Sequence, residues 1–299
     1  MSKRFTLIDP IIKDGHRGKE WLKLEGNTKS IYKIFRVLSG TCNIYDEYRE
    51  KKTSTATNYF LTPYQKNRKR TFSAIEDTFN GELSIYEIQE EFRKINENYD
   101  FYSLIEPEIL NCVVSREQGR ILESFLFLYR CLEGISYSIP LIYISKQKSF
   151  NKSYKALQKY IPQKEQDGEL IFFRKFIKET LIPGNDQLKS DITLTLDEIN
   201  IEELKSKYFK YYKQLAKEKY RDFEEDEYIT FSFDQFFEFI IEIRNRYFHF
   251  LQGTWQENLR NDKIIYPDLF FKPIIDQGIN WLALIFYEII KFEMEKNER

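Results

Sequence analysis

Histidine and cysteine are scarce: 299 residues carry two of the first and three of the second. Cys42, Cys112 and Cys131 are widely spaced and odd in number, which fits a reducing compartment and excludes a clustered zinc site. Two histidines and scattered cysteines do not make a ligand set, so neither a metal nor any other cofactor is expected. Glycine is sparse, at 11 residues, and forms no phosphate-cradling loop; no nucleophile elbow is present. An excess of one charge is also missing. Lys and Arg total 46 against 47 Asp and Glu, which rules out a generally basic nucleic-acid coat and leaves only local patches for polyanions. The opening MSKRFTLIDP lacks the apolar run of roughly 7 to 15 residues that a secretory leader needs. No window offers about 18 uninterrupted apolar residues, so a cytoplasmic chain without a membrane partner is expected. No internal repeat or low-complexity tract stands out.

What is present centres on Ser232 to Gly253, SFDQFFEFIIEIRNRYFHFLQG. Its spacing predicts one helix of about five or six turns. Ser232 with Gln235 forms a capping-box start, and Gly253 after Leu251 and Gln252 is a left-handed stop. Phe236, Phe237, Phe239, Ile240, Ile241, Ile243, Tyr247, Phe248, Phe250 and Leu251 leave little polar face, so the helix is expected inside a bundle or a subunit contact. Arg244 and His249 sit within that surface. An unpaired buried charge costs several kcal/mol, so the two either satisfy each other structurally or line a wet site.

FTLIDPII and KEWLKLEG, separated by the turn-rich KDGHRGK, are compatible with a β-hairpin, and His16 in that turn reads as an exposed loop histidine. Ser30 to Leu38 has helical spacing, with Gly40 to end it, and EKKTSTATNYF from Glu50 reads as loop. QKNRKR, which includes Arg68, Lys69 and Arg70, is the one dense basic cluster: a solvated face or a phosphate contact. Ser84 with Glu87 opens an amphipathic helix, and Pro107 suggests a boundary near residues 100 to 115. Gly119 to Pro140 is an apolar helix with Glu123, Arg130 and Glu133 along one seam, which is either an ion pair at a bundle rim or a support that faces Arg244 or His249.

Ser149 to Lys178 reads as two helices around QKEQDG, and TLTLDEIN as a brief extended piece. In Ile201 to Arg221, lysines alternate with tyrosines. That pattern gives either a core face with a lysine-rich wet face or a platform for single-stranded nucleic acid. The acidic turn EEDE precedes the central helix, and a last apolar helix is expected after Pro273.

The chemistry of the central motif suits RNA. Its 2′-hydroxyl is a built-in nucleophile, so scission needs proton transfer and relief of charge at phosphorus. A histidine with an ordinary pKa of about 6.5 can exchange protons at neutral pH. The guanidinium of Arg244 offers a fixed fork to a phosphate gaining charge. Asn245 lies four places before His249, on the same side of the helix. At about 100° per residue Arg244 and His249 are roughly 140° apart, so one helix does not present them together. Two copies packed antiparallel across a two-fold can.

RNRYFH resembles the Arg-Asn-x-x-x-His signature of the HEPN superfamily of ribonucleases, found with type III CRISPR systems and among abortive-infection and toxin proteins. Upstream, YRCLEGIS is similar to that family's earlier helix, which often carries a charged residue facing the site. The resemblance covers residues 116–299. It implies a mainly α, HEPN-like bundle acting as a homodimer through helix 232–252 and cutting single-stranded RNA without metal. In that scheme Arg244, Asn245 and His249 are catalytic, with Arg130, Glu133 and Tyr247 in support; Arg246, and Arg68, Lys69 and Arg70 of the basic cluster outside the resemblance, are candidate RNA contacts. Residues 1–115, helical or α+β, resemble nothing identifiable and lack a nucleotide-sensing Rossmann pattern. A regulatory partner or activating ligand is left unspecified, and a non-catalytic RNA- or protein-binding module is the competing expectation.

Overall fold

The structure is a computed structural model that describes residues 4–10, 23–24, 27, 29–68, 72–145, 149–160, 169–248, 258–260 and 262–297. It is mostly helical and divides into two compact units, Met1–Cys131 with Leu282–Arg299, and Leu132–Trp281. The sequence suggested a division at residue 115. The two compact units divide at Cys131/Leu132 and Trp281/Leu282, each inside a long helix.

In the first unit β1 (Phe5–Ile8) buries Phe5 and Leu7 and exposes Thr6. It pairs antiparallel with β2 (Asn43–Asp46), Phe5 opposite Asp46, and β2 pairs with β3 (Lys51–Ser54). β1 thus takes a partner far along the chain; most of KEWLKLEG, the strand expected beside it, and His16 lie outside the described residues. The Thr-rich stretch expected as loop is β3 followed by β4 (Thr57–Asn58), which pairs with β5 (Gln65–Lys66). Its β-branched Thr53 packs inward while Lys52 and Ser54, on the opposite face of this edge strand, are exposed, as is Lys51 at its start.

Helix α1 (Ser30–Leu38) ends where expected. The Gly40 N–H donates to Val37 O at 3.1 Å and Thr41 N–H to Arg36 O at 3.1 Å, with Gly40 at φ +65°. A Cβ there would lie 2.5 Å from the Thr57 carbonyl oxygen. Arg36, fully buried on α1, is satisfied by Asp9 (3.0 Å), the Tyr32 hydroxyl (3.0 Å) and both oxygens of Thr41 (2.8 Å each). Burial alone would lower its pKa, but Tyr32 and Asp9 hold it above the ordinary arginine value. After α2 (Phe72–Asp77), α3 (Ile85–Lys94) begins with the anticipated box: the Ser84 N–H donates to the Glu87 carboxylate at 2.7 Å and the Glu87 N–H to Ser84 Oγ at 3.4 Å.

Pro107 and Pro140, expected to bound helices, do not, and Pro273, expected to precede the last helix, lies inside it. Helix α4 (Tyr99–Glu117) passes through Pro107, α5 (Ile121–Ser145) through Pro140, and α11 (Pro267–Asn297) through Pro273. An interior proline costs about 3 kcal/mol. Each helix offsets that with buried side chains worth about 1.5 to 3 kcal/mol apiece, among them Tyr102, Ile105, Ile109 and Val113 on α4, which packs on α1. Helices Ile121–Ser145 and Pro267–Met294 are long and apolar enough to cross a bilayer, but most of each apolar window is buried within the protein.

The second unit contains the rest of α5, then α6 (Phe150–Tyr160) and α7 (Glu169–Phe176), the two helices expected around QKEQDG, which itself lies outside the described residues. A π-helical turn (Ile177–Leu181) and short α8 (Ile182–Gly184) lead to β6 (Ile192–Thr195), the anticipated extended piece. Helix α9 (Glu202–Ala216) ends earlier than expected, at Lys217 in the left-handed region. Strands β7 (Asp222–Glu224) and β8 (Tyr228–Phe231) form a hairpin across the acidic turn, and β8 is central in the order β6-β8-β7. Next come α10 (Phe233–Phe248) and the first part of α11. Tyr208, Phe209 and Tyr212 of α9 are fully buried and Lys210 is exposed, so the lysine-tyrosine pattern is a core face with a wet face, and these rings cannot stack on bases.

Gly40→Ala is expected to destabilise the protein by at least about 1 to 2 kcal/mol, the cost of the left-handed backbone, with the clash added; urea unfolding measures it. Asp46 gives an acid-limb test. Burial pushes its carboxyl up, but Arg4 (3.1 and 3.0 Å) and the Arg49 and Tyr48 N–H groups (3.1 Å each) outweigh that and hold it below the ordinary aspartate value. Its contribution is fully present above its unfolded pKa of about 4 and is lost as pH falls through the lowered folded value. Asp46→Asn should therefore flatten the acid limb of stability against pH.

Candidate functional site

The motif helix begins in a tightly built place. The Ser232 N–H donates to Gln235 Oε1 at 2.9 Å, the expected capping contact, and the Ser232 hydroxyl donates to Asp234 at 2.7 Å. Phe233 and Phe237 stack on the Trp281 indole, with ring centres 4.9 and 5.2 Å apart, and Trp281 Nε1–H donates to Phe233 O at 2.9 Å. On the other flank Phe239 stacks on Phe231 at 4.7 Å and meets Tyr212 edge-on.

The helix is not apolar all round, contrary to the expectation. Asp234, Glu238, Glu242 and Arg246 recur every four residues and form a polar stripe. Glu238 is paired with Arg174 and with Lys219 (2.7 Å), and Glu242 with Lys217 (3.0 Å) and Arg246 (2.7 Å). Phe236, Phe237, Phe239, Ile240 and Ile243 lie on the other side and are buried in the unit, so these side chains are not available for a subunit contact.

Arg244 and Asn245 lie on the last described turns, where the helix leaves the core. The Arg244 side chain keeps 23 % of its surface exposed. Its Nη2 donates to Glu133 Oε1 at 3.2 Å and its Nη1 to Asn245 Oδ1 at 3.2 Å. Glu133 belongs to α5, so the expectation that the seam of that helix faces Arg244 holds for this residue. Arg130, one turn earlier, is engaged differently: its Nε and Nη2 form a two-pronged pair with Glu108 at 2.8 and 2.7 Å. Glu123 is bonded to Arg120.

Tyr247 lays its ring edge-on against Phe271 at 5.1 Å, and burial first, then the charge of Asp268, pushes its hydroxyl pKa up. Phe248 is exposed. Arg246, expected on RNA, is tied to Glu242, and its carbonyl accepts from Leu259 N–H at 2.9 Å, which fastens the returning chain to the helix end. Arg68 is exposed just after β5 in the first unit. His249, Lys69 and Arg70 lie outside the described residues.

The arrangement presents a guanidinium held from two sides beside an amide and an exposed aromatic ring. Such a group can take an oxyanion or a phosphate. Among the described residues no three His, Cys, Asp or Glu side chains converge as a metal site. The three cysteines are free and buried, and burial raises the Cys131 thiol well above its ordinary value, so it is not an activated nucleophile.

The chain matches no known family model, curated protein or solved structure.

Sequence reasoning missed the partner of Arg130 and a polar cavity beside Glu106. A signal existed for the second: Glu106 occupies the same face of α4 as the buried Tyr102, Ile109 and Val113, an acid on an apolar stripe.

A partly exposed pair is worth roughly 0.2 to 1 kcal/mol. A double-mutant cycle on Glu133→Gln and Arg244→Gln, read by thermal unfolding, should return a coupling in that range, with each single variant folded.

Proposed function

We propose that this protein is a metal-independent endoribonuclease of the HEPN type, cutting single-stranded RNA at a cleft formed by the motif ends of two copies, in antiviral defence or as a toxin. The observation that carries this reading is the Arg244 fork, fixed between Glu133 and Asn245 on the turn that runs into the RNRYFH motif. In the reaction the RNA 2′-hydroxyl attacks the adjacent phosphorus and the 5′-oxygen leaves. Arg244 takes the charge that builds on the phosphoryl oxygens, His249 moves the proton and Asn245 orients the ring or the phosphate. Exposed Phe248 offers a stacking face to an unpaired base. The angular separation of positions 244 and 249 asks for a second copy to complete the cleft.

One observation favours a different reading. The Arg244 fork already holds a carboxylate, as a structural ion pair at an interaction surface does. A non-catalytic module would bind RNA or a protein partner there and leave the RNA intact.

Purified protein incubated with an unstructured, end-labelled RNA in EDTA should yield fragments ending in 2′,3′-cyclic phosphate or 3′-phosphate. Arg244→Ala and His249→Ala should each slow cleavage by about 100-fold or more while circular dichroism stays native. Cleavage by His249→Ala at the wild-type rate would sink the catalytic assignment, and RNA retained without new ends would favour the binding module.

A further inference from the structure

The first unit contains a cavity of about 300 Å³ between β1, the start of α1 and the middle of α4, with Arg4, Phe5, Ser30, Glu106, Leu110 and Asn111 on its walls. The volume lies at the lower end of the range of small-molecule sites. Its polar groups are incompletely used. Glu106 is 8 % exposed, and the cation recorded beside it is Lys33 Nζ at 3.8 Å, beyond hydrogen-bond reach. Ser30 is 3 % exposed, and no hydrogen bond among the described residues engages its hydroxyl. Facing the cavity, this carboxylate and hydroxyl are met there by water or by the donors of a ligand.

Arg4 stands at the opposite pole of the chemistry. Its Nε and Nη2 donate to Asp46 and its Nη1 to Asn111 at 2.8 Å. A guanidinium has five N–H donors, so each terminal nitrogen keeps a second hydrogen. Asn111 is locked as well, because its amide nitrogen donates to Pro107 O at 2.8 Å. The cavity therefore offers unused acceptors on a carboxylate, unused donors on a guanidinium, and apolar wall from Phe5 and Leu110.

We propose that this cavity binds a small zwitterion, a free α-amino acid with an apolar side chain. Its ammonium meets Glu106 and the Ser30 hydroxyl, its carboxylate meets the spare N–H groups of Arg4, and its side chain lies on Phe5 and Leu110. A carboxylate this buried favours a full positive charge over a neutral donor, and a guanidinium favours a carboxylate. One small molecule that carries both ends beside an apolar group is an amino acid.

Isothermal titration of the full chain with L-phenylalanine, L-leucine, phenethylamine and hydrocinnamate tests this. At least one of the two amino acids should bind, tenfold or more tighter than either one-ended analogue. Glu106→Gln should weaken that binding tenfold or more while circular dichroism stays native, the ion pair with Lys33 being the contact of the fold that it removes. Ser30→Ala, which removes only an unengaged hydroxyl, should weaken it several-fold and stands in if the first variant does not fold. Silence with both amino acids, equal binding of phenethylamine or hydrocinnamate, or unchanged affinity in a folded Glu106→Gln or Ser30→Ala variant overturns the proposal.

Discussion

The indole of Trp281, stacked by Phe233 and Phe237 and donating its N–H to the Phe233 carbonyl, is the contact on which the second unit's candidate site depends. Phe173 meets the same ring edge-on, so three phenyl groups from two helices close on one side chain of α11. Aromatic contacts of this kind contribute beyond their buried area and restrict the axial rotation of the helices that make them. With the first turns of α10 held, the direction in which Arg244 leaves the core is set by helical periodicity alone. Glu133 and Asn245 then need only fix the last torsions of the guanidinium.

Charge has a second role along that helix. The Glu238 and Glu242 pairs with Arg174, Lys219, Lys217 and Arg246 lie on the side away from the aromatic contacts. Each such pair is weak when exposed, but together they keep the stripe solvated and in register with its neighbours. The aromatic face of α10 before Arg244 is thus occupied within the unit, while its last described turn carries the half-buried Asn245 and the exposed Phe248.

Much of this was legible in the sequence wherever the signal was local. The limits of α1, the Ser84 box and the Ser232–Gln235 contact all follow from spacings of a few residues, whereas the approach of Glu133 to Arg244 joins residues 111 apart and was legible only as a charged seam on an apolar helix. What escaped was decided over long distances. Pro107, Pro140 and Pro273 are tolerated because of burial that no short window reveals. Thr53 reads as loop until β2 is beside it, and Phe5–Ile8 takes a partner far along the chain. Arg130 had two acids within one or two turns on its own helix, and its fork is held by Glu108 of α4.

The three cysteines carry a consequence of their own. Cys42, Cys112 and Cys131 all belong to the first unit, and all are shielded from water, while the second unit has none. A thiol reagent can reach them only while that unit is transiently open, so the rate of alkylation follows the opening equilibrium rather than intrinsic thiol reactivity. The protein therefore carries a natural footprint of how often one half of its chain breathes, with the other half chemically silent.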